Sequence, residues 1–266
     1  AQMAIKAIRA GKHVLVEKPF AATFEEADKV VKEAKKAKIK LIALPFPSNN
    51  MPAFNALKNL IAKGVIGKIC AVRARYSHVG PGHAVWFYKP PLGGPVFDLG
   101  IYPVTAIVDI IGPAKRVQAF CATSIPERTV AGEKIKVEVE DNAVINLDFG
   151  NNVLASIETN YCTLCGMELG SESEFHGTDG SLFLSKWDQV LRVYSEKEVY
   201  PGVSGWFEKV FPCVHLESQV QILAESIIQN KEPPYNGERQ RHVIEILESV
   251  LKSAKTGETI ALKSTF

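Results

Sequence analysis

The chain has 266 residues, 46% of them hydrophobic, enough for one large domain or two small ones with a packed core. Lys+Arg 31 against Asp+Glu 29 leaves a formal charge of +2, which argues against the one-sided basic surface of a nucleic-acid-binding protein. No apolar run approaches the roughly 18 to 20 residues that cross a bilayer, no basic segment leads into an apolar targeting stretch, and the odd set Cys70, Cys121, Cys162, Cys165 and Cys213 fits reduced thiols. The expectation is a soluble, cytoplasmic protein with neither membrane nor nucleic-acid partners.

The opening residues AQMAIKAIRAG predict a helix with Ala4, Ile5 and Ile8 on one face and Gly11 at its C-terminal cap. A short buried strand follows at residues 13–16. Thr23-Phe-Glu-Glu26 reads as a capping box, with Ala27, Val30, Val31 and Ala34 at helical spacing behind it, and residues 39–44 read as a second buried strand. Strand, helix, strand with short connections is a βαβ unit, so residues 1–46 are expected to form part of a parallel sheet covered by helices.

Past Pro45 and Pro47 the pattern changes, and residues 47–266 are expected to form an α+β unit built on a large open, mainly antiparallel sheet. A helix over 52–63 turns Phe54, Leu57, Leu60 and Ile61 inward and stops at Gly64. Strands are expected at 68–78, 116–123, 142–149, 153–161, 173–176 and 189–194, with turn signals at Gly150-Asn-Asn152 and Gly177-Thr-Asp-Gly180. One helix, 95–111, interrupts the strands, and two more, at 215–230 and 238–255, close the chain. Val144, Ile145 and Leu147 put apolar side chains on both faces of one strand, so one face should meet helices and the other a second subunit.

Two stretches invite chemistry. In GKHVLVEKPFA the buried strand runs straight into Glu17, Lys18 and Pro19, and ligands of open α/β sheets bind just past such strand ends. The plainer reading is a lysine whose stem packs while its head reaches solvent. In GGPVFDLGIYPV, Asp98 and Tyr102 stand four residues apart and share one helical face. Here the plainer reading is a cap and a core tyrosine, and Pro103 should kink the helix or mark its start. The loop at 77–90 gathers His78, His83, Trp86 and Tyr88, whose rings and polar edges suit a sugar, or else pin the loop itself. Neither histidine has a ligand-like partner nearby in sequence, and Cys162 with Cys165 lacks the second pair of a zinc site, so no metal is expected.

AGKHVLVEKPFA, GVIGKI at 64–69, GGPVFDLGIYPV, FHGTDGSL at 175–182 and SAKTGETI at 253–260, in that order, resemble the family of glucose-fructose oxidoreductase and inositol dehydrogenase. The resemblance implies an NAD- or NADP-binding Rossmann domain, here only its C-terminal portion within residues 1–46. It also implies a substrate-binding and dimer-forming domain over 47–266, whose last helices pack back on the first. By motif match Lys18, Asp98 and Tyr102 would be the catalytic group, and Glu17, Lys18 and Pro19 would meet the cofactor. His78, His83, Trp86 and Tyr88 would line the substrate. Tyr102 stands where most members have histidine, as in the tyrosine branch with dihydrodiol and xylose dehydrogenases.

The implied reaction is hydride transfer between nicotinamide and a secondary hydroxyl of a sugar or cyclic polyol, in a homodimer or homotetramer. Tyr102 would move the proton, with its pKa lowered by Lys18. Two other readings stay open: a non-catalytic sugar-binding or oligomerisation subunit, and an NAD-assisted glycosidase. The family's Gly-x-Gly-x-x-Gly turn does not occur between residues 1 and 266, so a polypeptide of these residues alone is expected to bind dinucleotide weakly and to lack activity.

Overall fold

A computed structural model describes residues 1–43, 51–164, 171–185, 189–212 and 218–266. The chain opens with α1 (Gln2–Arg9), whose buried Ala4 and Ile8 face the core, and Gly11 follows it at a φ of 71°. Strand β1 (Val14–Val16) leads through Thr23, whose side chain accepts the Glu26 amide, into α2 (Phe24–Ala37) and then β2 (Leu41–Ala43). The second half of the box differs in detail: the Glu26 carboxylate reaches the Ala22 amide. β1 and β2 pair in parallel with Val14 opposite Leu41, the βαβ arrangement that the hydrophobic periods require. Leu44, Pro45 and Pro47 lie outside the described residues.

After α3 (Pro52–Ala62) comes β3 (Ile69–Ser77), then two short helical turns, Val85–Tyr88 and Val96–Gly100, and α4 (Ile101–Ile111). Nearly all the remaining strands join β3 in one sheet: β4 (Arg116–Ala122), β7 (Asn142–Asp148), β8 (Leu154–Asn160), β9 (Ser171–Gly177), β10 (Gly180–Ser185), β11 (Val190–Tyr200), β12 (Val203–Val210) and β13 (Ile260–Ala261). Its nine strands run in the order β12-β11-β10-β9-β3-β8-β7-β4-β13. Among the described residues, β3 with β8 is the one parallel pair of this sheet. A separate hairpin, β5 (Glu127–Val130) with β6 (Glu133–Lys136), stands apart from it.

Alternation decides which face is covered. On β7, Ala143, Ile145 and Leu147 point inward while Val144 and Asn146 point out. The inner face meets α4 and the long C-terminal helix α6 (Gly237–Thr256), which also packs on α2; α5 (Gln219–Ile228) precedes it. Two ion pairs, Lys35 with Glu238 and Arg241 with Asp28, tie α6 to α2.

The sequence reading missed β5, β6, β10, β12 and β13 and stopped β11 short. β5, β6, β12 and β13 are short, charged or solvent-facing, so their apolar alternation is faint, whereas β10 buries Leu182 and Leu184 in alternation. The one local signal for the β5–β6 hairpin is its two-residue turn, where Ala131 and Gly132 both take positive φ.

Candidate active site

Lys18 lies just past the C-terminal end of β1, ahead of the buried Phe20 and Ala21, and the Lys18–Pro19 peptide is cis. Its ammonium crosses to the second half of the chain. Nζ donates to Asp98 Oδ1 at 2.5 Å and to the Asp98 carbonyl at 2.9 Å, with the two side chains only 17% and 10% exposed. Asp98 sits in the Val96–Gly100 segment, which is a π-turn rather than the regular helix expected at 95–111. Wide turns of this kind disturb the normal ladder, and Pro103, five residues on from Asp98, has no N–H. Donors around the Asp98 carbonyl are thereby thinned, and Lys18 supplies one.

Tyr102 follows in the first turn of α4. The Lys18 ammonium lies 5.0 Å from the centre of its ring, close enough to act on its hydroxyl by charge. Tyr76, from β3, stacks on the Tyr102 ring at 5.0 Å and 21°. The second Asp98 oxygen accepts the Tyr161 hydroxyl at 2.7 Å, and His78 stacks on the Tyr161 ring at 5.4 Å. Lys18, Asp98, Tyr102, Tyr161 and His78 therefore form one cluster between β1 and the large sheet.

Behind this cluster lies a second layer of charge. Arg128, from the β5–β6 hairpin, donates to the carbonyls of Tyr161 and Val79 and to the fully buried carboxylate of Asp141. Asp141 also accepts the amides of Ser124 and Ile125 at 2.6 and 2.8 Å. Buried charge paired this way is tolerated because nearly every oxygen and N–H is used. The sequence reading missed Tyr161, Tyr76, Arg128 and Asp141; Tyr161 alone carried a hint, as a polar-tipped residue closing an apolar strand.

The electrostatics correct one expectation. Burial raises the Tyr102 hydroxyl above the ordinary tyrosine value, and the opposing pull of the Lys18 ammonium does not overcome it, so Tyr102 holds its proton more firmly. For Lys18, burial pulls down, but the charge and hydrogen bonds of Asp98 and Tyr102 outweigh it and leave the ammonium more basic than usual. Tyr161 is pushed far up by burial and by Asp98, which keeps it a donor. His78 is pushed down by burial, and its Nδ1 accepts the Gly80 amide at 2.8 Å.

The other expected site residues scatter. Tyr88 is buried, gives its hydroxyl to the Pro81 carbonyl and packs edge-on against Tyr161, so it is core behind the cluster rather than lining in front of it. His83 and Trp86 both pack on Phe87, and Trp86 is half exposed. Glu17 is exposed beside Lys18, with its carboxylate near enough to act on Tyr102. Cys162 lies past the end of β8, and its thiol meets the Asp141 carbonyl at 3.6 Å. Cys165 and Cys213 lie outside the described residues. Among the described residues no three His, Cys, Asp or Glu side chains form a metal-holding group, and no helix is long and apolar enough to cross a membrane.

The fold is a short parallel βαβ unit followed by a large, mostly antiparallel sheet backed by helices, with this cluster between them. Residues 1–44 match the oxidoreductase family with an NAD-binding Rossmann fold, and residues 54–183 match the GFO/IDH/MocA C-terminal domain. The chain belongs to the Gfo/Idh/MocA oxidoreductase family. It is 29% identical over 210 residues to the levoglucosan dehydrogenase of Pseudarthrobacter phenanthrenivorans, covering 68% of this chain and 51% of that one. With the 1,5-anhydro-D-fructose reductase of Ensifer adhaerens it shares 31% over 186 residues, covering 68% and 52%. The matches thus span about half the length of these curated relatives. A levoglucosan dehydrogenase solved as a complex with NADH and L-sorbose has the same fold, with a TM-score of 0.87 at 22% identity over 99% of this chain and 77% of that one.

Proposed function

We propose that this chain carries the catalytic face of an NAD(P)-dependent oxidoreductase that moves hydride between nicotinamide and a secondary carbinol carbon of a sugar or cyclic polyol. The observation that carries the reading is the reach of Lys18 from the end of β1 to Asp98 and Tyr102 on a different structural unit. An ammonium, a carboxylate and a phenol meeting at a strand end is the set that proton transfer to or from an alcohol oxygen requires. The relatives' names, a sugar dehydrogenase and a sugar reductase, point to the same substrate class.

The donor set fits the nicotinamide end of a dinucleotide, with Glu17, Lys18 and Pro19 past the carboxyl end of β1. When bound, the nicotinamide would accept or supply the hydride. This chain's residues would do the rest. Tyr102, holding its proton at neutral pH, would give it to the oxygen of a carbonyl being reduced and take it back in oxidation. Lys18 would steady the tyrosine oxygen by charge, and Asp98, fixed by Tyr161, would hold Lys18 in place. His78 lies within electrostatic reach of Asp98 and Lys18 and would meet the substrate's hydroxyls. Residues 1–46 would serve as part of the cofactor domain and 47–266 as the substrate and association domain.

The test is turnover of the intact enzyme with NAD and NADP against a panel of sugars and polyols, with Tyr102→Phe as the variant. We expect the variant to lose about a hundredfold to ten-thousandfold in kcat with little change in KM, because it deletes a proton-transfer group and keeps the ring. Unchanged kcat would reassign Tyr102 to packing.

A further inference from the structure

The π-turn that carries Asp98 begins at an amide whose partner comes from far along the chain. Glu140 Oε1 accepts the Val96 N–H at 3.2 Å, across 44 residues of sequence. The fit around it is close: a Cβ on Gly94, which has a φ of 93°, would lie 2.2 Å from the same oxygen. Glu140 is in turn held by its surroundings. Next to it Asp141 is fixed by the Ser124, Ile125 and Arg128 contacts, and its own amide donates to the Ala122 carbonyl. On the other side Thr123 donates to the Val139 carbonyl. A carboxylate at the amide end of a helical segment satisfies an orphan donor and complements the helix dipole.

We propose that Glu140 is a positioning residue for the hydride-transfer site: it pins the first amide of the turn that carries Asp98 and runs on into α4, where Tyr102 sits, and presents a negative charge to Tyr161, which holds Asp98. It rests on the oxidoreductase reading for its kinetic consequences alone. The pinning is a matter of geometry and is read separately.

The charge is the costly part of this arrangement. Burial pushes the Glu140 carboxyl up to about 7, although two backbone hydrogen bonds favour its ionised form. A neutral glutamine amide oxygen would accept the Val96 N–H without that cost. The titratable groups facing Glu140 are Cys121 of β4, its neighbour Asp141, and Tyr161 beyond β8. Cys121 is itself pushed up to about 12 by burial and by Glu140, and Tyr161 is pushed up by burial with Glu140 among the contributors. None of these three is a cation, so the two backbone hydrogen bonds are what favours its ionised form among these neighbours. Perturbed carboxyls of this kind concentrate at functional sites.

Two variants of the intact enzyme test the proposal. Glu140→Ala removes both cap and charge; Glu140→Gln keeps the acceptor and removes only the charge. Amide hydrogen exchange across residues 96–100 reads the pinning without reference to any activity. We expect Glu140→Ala to lose protection there and Glu140→Gln to retain it. In turnover, Glu140→Ala should fall by about 10- to 100-fold in kcat at unchanged KM, the scale expected of a misplaced reacting group. Glu140→Gln, which resembles the protonated wild type, should match it below neutrality, fall short of it at alkaline pH and lack the inflection near neutrality that the wild type shows. Wild-type protection over 96–100 in Glu140→Ala would overturn the pinning. An identical pH profile in wild type and Glu140→Gln would overturn the role of the charge. A wild-type enzyme that fails to transfer hydride would sink the oxidoreductase reading while the exchange result still decides the pinning.

Discussion

Tyr102 is caught between two opposing influences, and the outcome sets the direction in which the site works most readily. Burial favours the neutral phenol, Lys18 favours the phenolate, and burial prevails. A hydroxyl that keeps its proton is ready to donate to a carbonyl oxygen, whereas oxidation of an alcohol needs the same oxygen without its proton. Because the pKa lies above the ordinary tyrosine value, the deprotonated fraction at neutral pH is small and grows by about tenfold per pH unit. We therefore expect kcat/KM for oxidation to climb steadily from neutral into alkaline pH, while reduction stays level over the same range. Oxidation that does not respond to pH there would show that another group takes the proton. Lys18 and Asp98 were legible in the sequence, one because a charge follows a buried strand and the other because it lies one turn from Tyr102. Tyr161 was not, since its partner Asp98 is 63 residues away and no local spacing announces the pair.

The β5–β6 hairpin shows what a weakly patterned segment contributes. Through Arg128 it clamps the Tyr161 and Val79 carbonyls to Asp141, and through the Ala131 amide it holds the Gly82 carbonyl in the aromatic loop. Asp141 is completely buried, so removing it would leave Arg128 charged and unpaired. We expect Asp141→Ala to cost about 3 to 5 kcal/mol in denaturant unfolding, the usual penalty for breaking a buried pair from one side. A loss below about 1 kcal/mol, typical of exposed pairs, would mean that Arg128 finds water instead. The same contrast explains what the sequence revealed about elements. α2, α3 and α6 bury strongly periodic faces and were readable within a few residues, and β7 and β8 alternate cleanly. The π-turn was hidden because its sequence, VFDLG, is as apolar as a regular helix, and the side chains that hydrogen-bond its backbone, Glu140 at one end and Lys18 at its middle, come from far along the chain.

Taken together, the strands of the large sheet present one broad face that no described residue covers. Phe120 stands opposite Val144 there, and farther along the same face lie Leu154 and Trp206; Phe120, Leu154 and Trp206 are 71%, 59% and 67% exposed. Between them run cross-strand ion pairs, Arg75 with Glu172 and Arg192 with Glu208. Large apolar side chains ringed by paired charges form the composition of an association surface, and we propose that a second copy of the chain covers it. Phe120→Asp with Trp206→Asp should convert a dimer to a monomer in sedimentation without loss of folding. A wild-type monomer at micromolar concentration would contradict this. Nothing in single-strand patterning predicts the extent of this face, because it emerges only when nine strands are laid in order.

The claim on which the account turns is that the Lys18, Asp98 and Tyr102 cluster moves a hydride between a carbinol carbon and nicotinamide. Its most direct test gives the intact enzyme a sugar or polyol deuterated at the reacting carbon and follows the label by mass spectrometry of the nicotinamide. Deuterium should appear on the cofactor with the wild type and fall by at least about a hundredfold in rate with both Lys18→Met and Tyr102→Phe. Label transfer at the wild-type rate in either variant, or consumption of the substrate with no label on the cofactor, would contradict the account.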